Sequence, residues 1–175
     1  MNRSTYNHLN SSQILPKIVT EGLNLLGTTE KPGSANNQLI LSWAKECGID
    51  KVYGSDSIPW CGLFATVVVK RTGRYPVKSP LWARSWANWG EPSTNASLGD
   101  VLVFKRGSGG HVGFYIAEDA ECYHVLGGNQ SDAVTIARIR KDRCIAVRMP
   151  KYNIRPASAK PYVVNVSGKI STDEA

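Results

Sequence analysis

The chain changes character at Gly99-Asp100, and this change limits the folds that it can adopt. Before that point, three segments place apolar residues at helical spacing: Ile14 to Leu26, Gln38 to Cys47 and Cys61 to Arg71. After it come five short runs rich in β-branched and aromatic residues: Val101 to Phe104, His111 to Ala117, Cys122 to Leu126, Ala133 to Ile139 and Ile145 to Met149. Helices followed by strands are typical of an α+β domain, so we expect N-terminal helices packed on an antiparallel β-sheet.

The length of the chain predicts a single domain. With 175 residues, 42% of them hydrophobic, it is long enough for one well-filled core and short for two. We assign residues 13–150 to this domain. Residues 1–12 are polar and are expected to form a mobile arm, and residues 151–175 a polar tail in which Tyr162 to Val166 is a candidate edge strand.

The chain is basic, with 21 Lys and Arg against 14 Asp and Glu and a net charge of +7. Such a charge favours polyanionic surroundings: nucleic acid, anionic lipid or a bacterial envelope. Nucleic acid is the weakest of these, because the basic segment 137–143 has no interleaved aromatic residues and is typical of a solvated hairpin end. No run approaches the roughly 18 apolar residues of a membrane span, and residues 1–13 lack the apolar core of a signal peptide. We therefore expect that the protein does not insert stably into a membrane. We also expect that it is synthesised in the cytoplasm without a signal peptide.

The four cysteines, Cys47, Cys61, Cys122 and Cys144, lack the paired short spacings of a zinc site and are too sparse for a disulfide scaffold. Cys122 and His124 could form half of a metal site. The favoured interpretation is that they are two semi-buried polar residues of one strand. We therefore expect no metal site. Whether Cys122 and Cys144 form a disulfide stays open.

Trp82, Trp86 and Trp89 would share one face of a short helix, and such a stripe is more often part of a core than a platform for a ligand.

Cys61 is the candidate nucleophile. It opens the third helical segment, and Pro59 keeps the preceding residues out of helical geometry. Unpaired backbone N–H groups and the positive end of the helix dipole favour an anion there. The sequence therefore predicts a reactive thiolate that is populated near neutral pH.

His111 and Asn129 are the candidate partners of this thiol. His111 stands at a glycine-framed strand start and could accept and return the proton, and Asn129 follows the next strand, where its oxygen could fix the imidazole tautomer. The backbone N–H of Cys61 and one donor from the preceding loop would meet the oxyanion. Glycines at 109, 110, 113, 127 and 128 would keep the cleft open to a backbone-like substrate.

Four motifs together resemble the papain-like NlpC/P60 and CHAP peptidoglycan hydrolases, more narrowly the small Cys-His amidase-like proteins of phages and secretion systems. These motifs are Pro59 to Phe64, Leu98 to Phe104, Arg106 to Tyr115 and Leu126 to Ser131. The match runs from about residue 14 to about residue 150. Gly-Asp before one strand with Gly-His-Val opening the next is fairly specific, whereas either motif alone is weak.

The resemblance implies a papain-like fold and a cysteine peptidase or amidase that cleaves an amide bond of the peptidoglycan stem through an acyl-enzyme, without a cofactor. Cys61, His111 and Asn129 would be catalytic, and Trp60, Asp56, Gly110 and Gln130 would bind substrate. Asp56 could contact the substrate or fix its loop, and an exposed loop aspartate without such a role is an equal alternative. CHAP proteins often carry an acidic residue two positions before the orienting Asn, and Gly127 stands there instead.

The leading hypothesis is thus a cell-wall hydrolase, either a phage endolysin or an antibacterial effector toxin. It would be a monomer that binds bacterial peptidoglycan, reaches the wall or periplasm by holin release or secretion, and pairs with an immunity protein if it is an effector. The alternatives are a catalytically silent wall-binding module and a basic nucleic-acid binder. The motifs do not specify which peptidoglycan bond is cut.

Overall fold

A computed structural model describes residues 5–10, 12–33, 35–166 and 168–172. It confirms the predicted α+β class with an antiparallel sheet. The helices are α1 (Lys17–Leu23), α2 (Gln38–Cys47) and α3 (Cys61–Arg71), with shorter 3-10 helices at Asn7–Leu9, Ala83–Asn88 and Lys141–Arg143. The strands are β1 (Glu91–Pro92), β2 (Val101–Arg106), β3 (Gly109–Glu118), β4 (Cys122–Gly127), β5 (Thr135–Arg140) and β6 (Cys144–Met149), in the order β1-β6-β2-β3-β4-β5.

Local signals set the ends of the helices. The Asn37 side chain accepts a hydrogen bond from the Leu39 N–H at 2.9 Å at the start of α2, and Gly48 ends that helix in the left-handed conformation at φ 73°. The predictions for α2 and α3 are confirmed. The first helix is shorter than predicted: Pro16 is extended, with ψ 133°, so α1 begins only at Lys17.

The sheet is curled. Arg140 at the end of β5 and Cys144 at the start of β6 are separated by one three-residue 3-10 helix. Four residue steps span at most about 14 Å. In a flat sheet, β5 and β6 would be four strand spacings, about 19 Å, apart. The strands must therefore bend round, with one face turned inward.

The curled sheet separates two cores. Leu102, Phe104, Tyr115, Val125 and Ile139 form a cluster on the inner face. The outer face packs against the helices through Val101, Val103, Val112 and Phe114, which join Trp43, Phe64 and their neighbours.

The three tryptophans of the predicted stripe do not share one environment: Trp86 and Trp89 are buried, whereas Trp82 is 60% exposed. A 3-10 helix has three residues per turn, which aligns residues 86 and 89 but not 82.

The terminal segments contact the sheet. Tyr6 is buried and its hydroxyl lies 2.7 Å from His124 Nδ1, so this residue of the N-terminal arm contacts the sheet. In the tail, Val163 forms one isolated parallel bridge with Glu118, and Ser171 N–H donates to Arg138 O at 2.8 Å. The arm and tail predictions also fall on residues 1–4, 11, 167 and 173–175, which lie outside the described residues. None of the described helices is long and apolar enough to span a bilayer.

Candidate active site

Cys61 lies at the first position of α3, against the first half of β3. The ladder between β3 and β4 begins at Phe114, so the residues of β3 before it pair with β2 alone. Beside this free edge, the backbone N–H of Val112 approaches the Cys61 sulfur. The predicted nucleophile and the residue next to the predicted base, His111, therefore meet where β4 ends.

The first turn of α3 is tightly covered. A Cβ on Gly62 would lie 2.5 Å from Pro80 O and 2.7 Å from Leu81 O, so only glycine fits between the helix and this segment. Cys61 itself is 4% exposed.

Burial controls the protonation of the thiol. It raises the pKa of Cys61 above its ordinary value, although the backbone N–H groups of Val112, Gly62 and Cys61 and the charge of Arg106 act in the opposite direction. The expectation of a thiolate near neutral pH is therefore wrong, because desolvation outweighs the helix N-terminus. The resting group is a thiol, which must transfer its proton to a base in order to attack.

His111 is fully buried on β3, and its partner is Gln130. The His111 Nε2 atom lies 3.1 Å from Gln130 Oε1. The Gln130 amide cannot be flipped without loss, because its Nε2 donates to Thr135 O at 2.7 Å and to Val125 O at 3.2 Å. Both of these partners are carbonyl oxygens, which only accept, so the oxygen of the amide faces the imidazole.

This orientation assigns the tautomer of His111. Since Gln130 Oε1 only accepts, His111 Nε2 carries the hydrogen and Nδ1 carries the lone pair. A neutral imidazole in this state can take a proton on Nδ1. Gln130 therefore has the orienting position that the sequence predicted for Asn129, and its burial removes it from the expected role in binding substrate.

Asn129 has a different partner. Its Oδ1 accepts the backbone N–H of Trp60 at 3.0 Å, so it ties the loop after β4 to the residue that precedes Cys61. This bond links the segment carrying the nucleophile to the segment that orients the base. Asn129 is thus placed as a positioning residue for α3 rather than against the imidazole.

The loop that carries both amides has a strained backbone. Asn129, Ser131 and Asp132 have φ values of 55°, 52° and 58°, a region that residues other than glycine rarely occupy. The segment before α2 braces this loop: Gly27 N–H donates to Val134 O, Val134 N–H to Thr28 O and Glu30 N–H to Asp132 O. This short ladder holds Gln130 in place, and its contribution was not apparent in the sequence.

Glycines near the site permit close packing instead of opening a cleft. A Cβ on Gly127 would lie 2.6 Å from Gln130 Oε1 and 2.9 Å from His111 Nε2. A Cβ on Gly128 would lie 2.5 Å from Phe64 Cβ. The predicted open, glycine-lined cleft is therefore wrong at these two positions. The absence of a side chain at 127 is what allows His111 and Gln130 to meet.

The other residues expected to bind substrate have structural contacts. Trp60 is fully buried and its indole N–H donates to Glu30 Oε2 at 3.1 Å. Asp56 is buried, and its Oδ2 accepts from Asn37 N–H at 2.7 Å and Lys31 N–H at 3.1 Å, which places it as a loop-fixing residue. At Gly110 a Cβ would meet Arg84 Cγ at 2.9 Å, because the Arg84 side chain covers this part of β3.

The remaining candidate ligands are not assembled into a metal site. His124 Nε2 bonds Asp119 at 2.9 Å, and all four cysteines, Cys122 and Cys144 included, are free thiols. Within the described ranges, no group of three or more His, Cys, Asp or Glu side chains could hold a metal ion.

Compared with known family models, curated proteins and solved structures, the chain matches none.

Proposed function

We propose that the protein is a thiol hydrolase that cleaves an amide bond in the peptide stem of bacterial peptidoglycan, with the chemistry of the NlpC/P60 and CHAP enzymes that its motifs resemble. The observation that carries this proposal is that the backbone N–H of Val112 approaches the Cys61 sulfur while the preceding residue, His111, is oriented by Gln130. Acyl transfer through cysteine needs a thiol and a base that can take its proton, and a neutral imidazole with its lone pair on Nδ1 can be that base.

Each proton has a place in the proposed reaction. His111 Nδ1 takes the thiol proton as the Cys61 sulfur attacks the carbonyl carbon, and the backbone N–H groups at the start of α3 stabilise the oxyanion. The imidazolium, held by Gln130, then protonates the leaving amine, and a thioester remains on Cys61. Water attacks this thioester with His111 again as base, which releases the carboxylic acid and restores the thiol.

A catalytically silent wall-binding module is the second candidate, and one observation favours it. Cys61 is almost fully covered and burial raises the pKa of its thiol, as expected for an inert cysteine. We prefer the enzyme because Gln130 leaves the lone pair of His111 on Nδ1, on the residue next to Val112, whose N–H approaches the Cys61 sulfur.

The test is digestion of purified peptidoglycan by the wild type, Cys61→Ala and Cys47→Ala, with soluble fragments identified by mass spectrometry. We expect fragments from the wild type and Cys47→Ala and none from Cys61→Ala, at an unchanged thermal midpoint. Cys47 is the matched control, a half-buried free thiol outside the site. Wall binding without fragments from any of the three would favour the silent module, and unfolding of Cys61→Ala would make Cys61 a core residue.

A further inference from the structure

Arg106 lies on the rim of the candidate site. It ends β2 and pairs with Gly109, two residues beyond the pair of Phe104 and His111. Side chains two apart on a strand share a face, so Arg106 stands on the same face of the sheet as His111. Its pairing partner, Gly109, has no side chain, and Arg106 is half-buried.

The hairpin that carries Arg106 is held from outside. Arg84 Nε donates to Gly109 O at 2.7 Å and its Nη2 donates to Gly107 O at 3.1 Å. These bonds fix the turn between β2 and β3. Arg84 thus uses its own guanidinium on backbone carbonyls, whereas Arg106 shares its face of the sheet with His111.

The charge of Arg106 has no carboxylate partner among the described residues. The cations in their ion pairs are Arg71, His124, Arg138, Arg140 and Lys141. The guanidinium is nevertheless close enough to Cys61 to favour the thiolate. A half-buried guanidinium without a carboxylate partner of its own is suited to bind a carboxylate in a bidentate arrangement.

We infer that Arg106 forms a subsite for a substrate carboxylate next to the scissile amide, so that the site prefers acidic peptides. This inference rests on the proposed function, since the stem peptides of bacterial walls carry free carboxylates along their length. It would make stems whose glutamate carboxylate is amidated poor substrates.

The experiment compares two synthetic stem peptides, L-Ala-γ-D-Glu-L-Lys with a free glutamate α-carboxylate and the same peptide with that group amidated. Binding is measured by calorimetry in Cys61→Ala protein, so the result does not depend on turnover. We expect the acidic peptide to bind about 10- to 100-fold more tightly, as a charge-assisted hydrogen bond allows. Adding Arg106→Gln to the Cys61→Ala protein should abolish this preference, because it weakens the binding of the acidic peptide and leaves the binding of the amidated peptide unchanged.

Two further variants control the result. Arg106→Lys keeps the charge and should retain part of the preference, and Lys105→Gln removes an exposed cation from the adjacent position and should leave it unchanged. Equal binding of the two peptides, no binding of either, or equal weakening of both by Arg106→Gln would overturn the subsite. The proposed function is tested by a separate experiment, and it would fail if the wild type did not cleave the wall.

Discussion

Asn129 and Gln130 are neighbours in the chain but contact different parts of the site. The motif of residues 126–131 predicted that a side-chain amide would orient the imidazole, and the structure provides one from Gln130. The sequence could not decide between the two, because the choice depends on the positive φ angles at residues 129, 131 and 132. Those angles are held by hydrogen bonds to residues 27–30, about a hundred positions earlier.

Gln130→Ala and Asn129→Ala should therefore fail in different ways. Gln130→Ala removes the acceptor of His111 Nε2, and we expect kcat to fall on the order of 10²-fold with little change in KM. Asn129→Ala leaves the buried Trp60 N–H without its acceptor, and we expect a loss of about 1–3 kcal/mol in the free energy of unfolding. Steady-state kinetics and urea denaturation separate the two. An active Gln130→Ala together with a stable but inactive Asn129→Ala would restore the sequence-based assignment.

At the scale of elements, α2 and α3 were predictable because their ends carry local signals. Asn37 and Gly48 flank α2, and Gly73, with φ 78°, follows α3. The five predicted strands all exist, although their ends differ by one or two residues. The two-residue β1 was missed because it has no periodicity, and its existence depends on pairing with β6.

The turn into β2 carries a buried carboxylate that should make stability depend on pH. Asp100 Oδ2 accepts the Ser97 N–H at 3.0 Å, and burial raises the pKa of Asp100 from 3.8 to about 6. The native state thus holds this proton more tightly than the unfolded state. The contribution of Asp100 to stability is complete below about pH 4 and is lost as the pH rises through about 6.

Asp100→Asn should remove this loss. The amide oxygen can still accept the Ser97 N–H, and we expect the variant to gain on the wild type by up to about 3 kcal/mol in free energy of unfolding between pH 4 and pH 7. Urea denaturation of both proteins across this range measures the gain. If the free energies of unfolding of the two proteins changed in parallel with pH, Asp100 would have an ordinary pKa.

At the scale of the molecule, one buried polar cluster joins both ends of the chain to the sheet. Asp119 Oδ2 accepts from Arg138 Nε at 2.8 Å and bonds His124 Nε2, and the other nitrogen of His124 bonds Tyr6. Arg138 Nη1 also donates to Gly168 O. Polar composition alone did not predict this anchoring, because the sequence does not show that single residues such as Tyr6 have buried partners far along the chain.

Asp119→Asn should destabilise the protein by about 3 kcal/mol, because it leaves the largely buried Arg138 without its counter-charge. The matched control is Asp142→Asn, which removes an exposed partner of Arg140 and should cause no measurable change in the thermal midpoint. Wall cleavage should persist in both variants below their unfolding temperatures. A loss confined to activity would instead place this cluster in the catalytic machinery.

Detection of the acyl-enzyme is the measurement closest to the proposed thiol chemistry. Wild-type protein mixed with peptidoglycan fragments is quenched in acid, which preserves thioesters, and is then digested and analysed by mass spectrometry. We expect a mass increase, equal to the acyl part of the cleaved stem, on the peptide that contains Cys61 and nowhere else. Release of wall fragments without this adduct, and at the same rate by Cys61→Ala, would show that Cys61 is not the nucleophile.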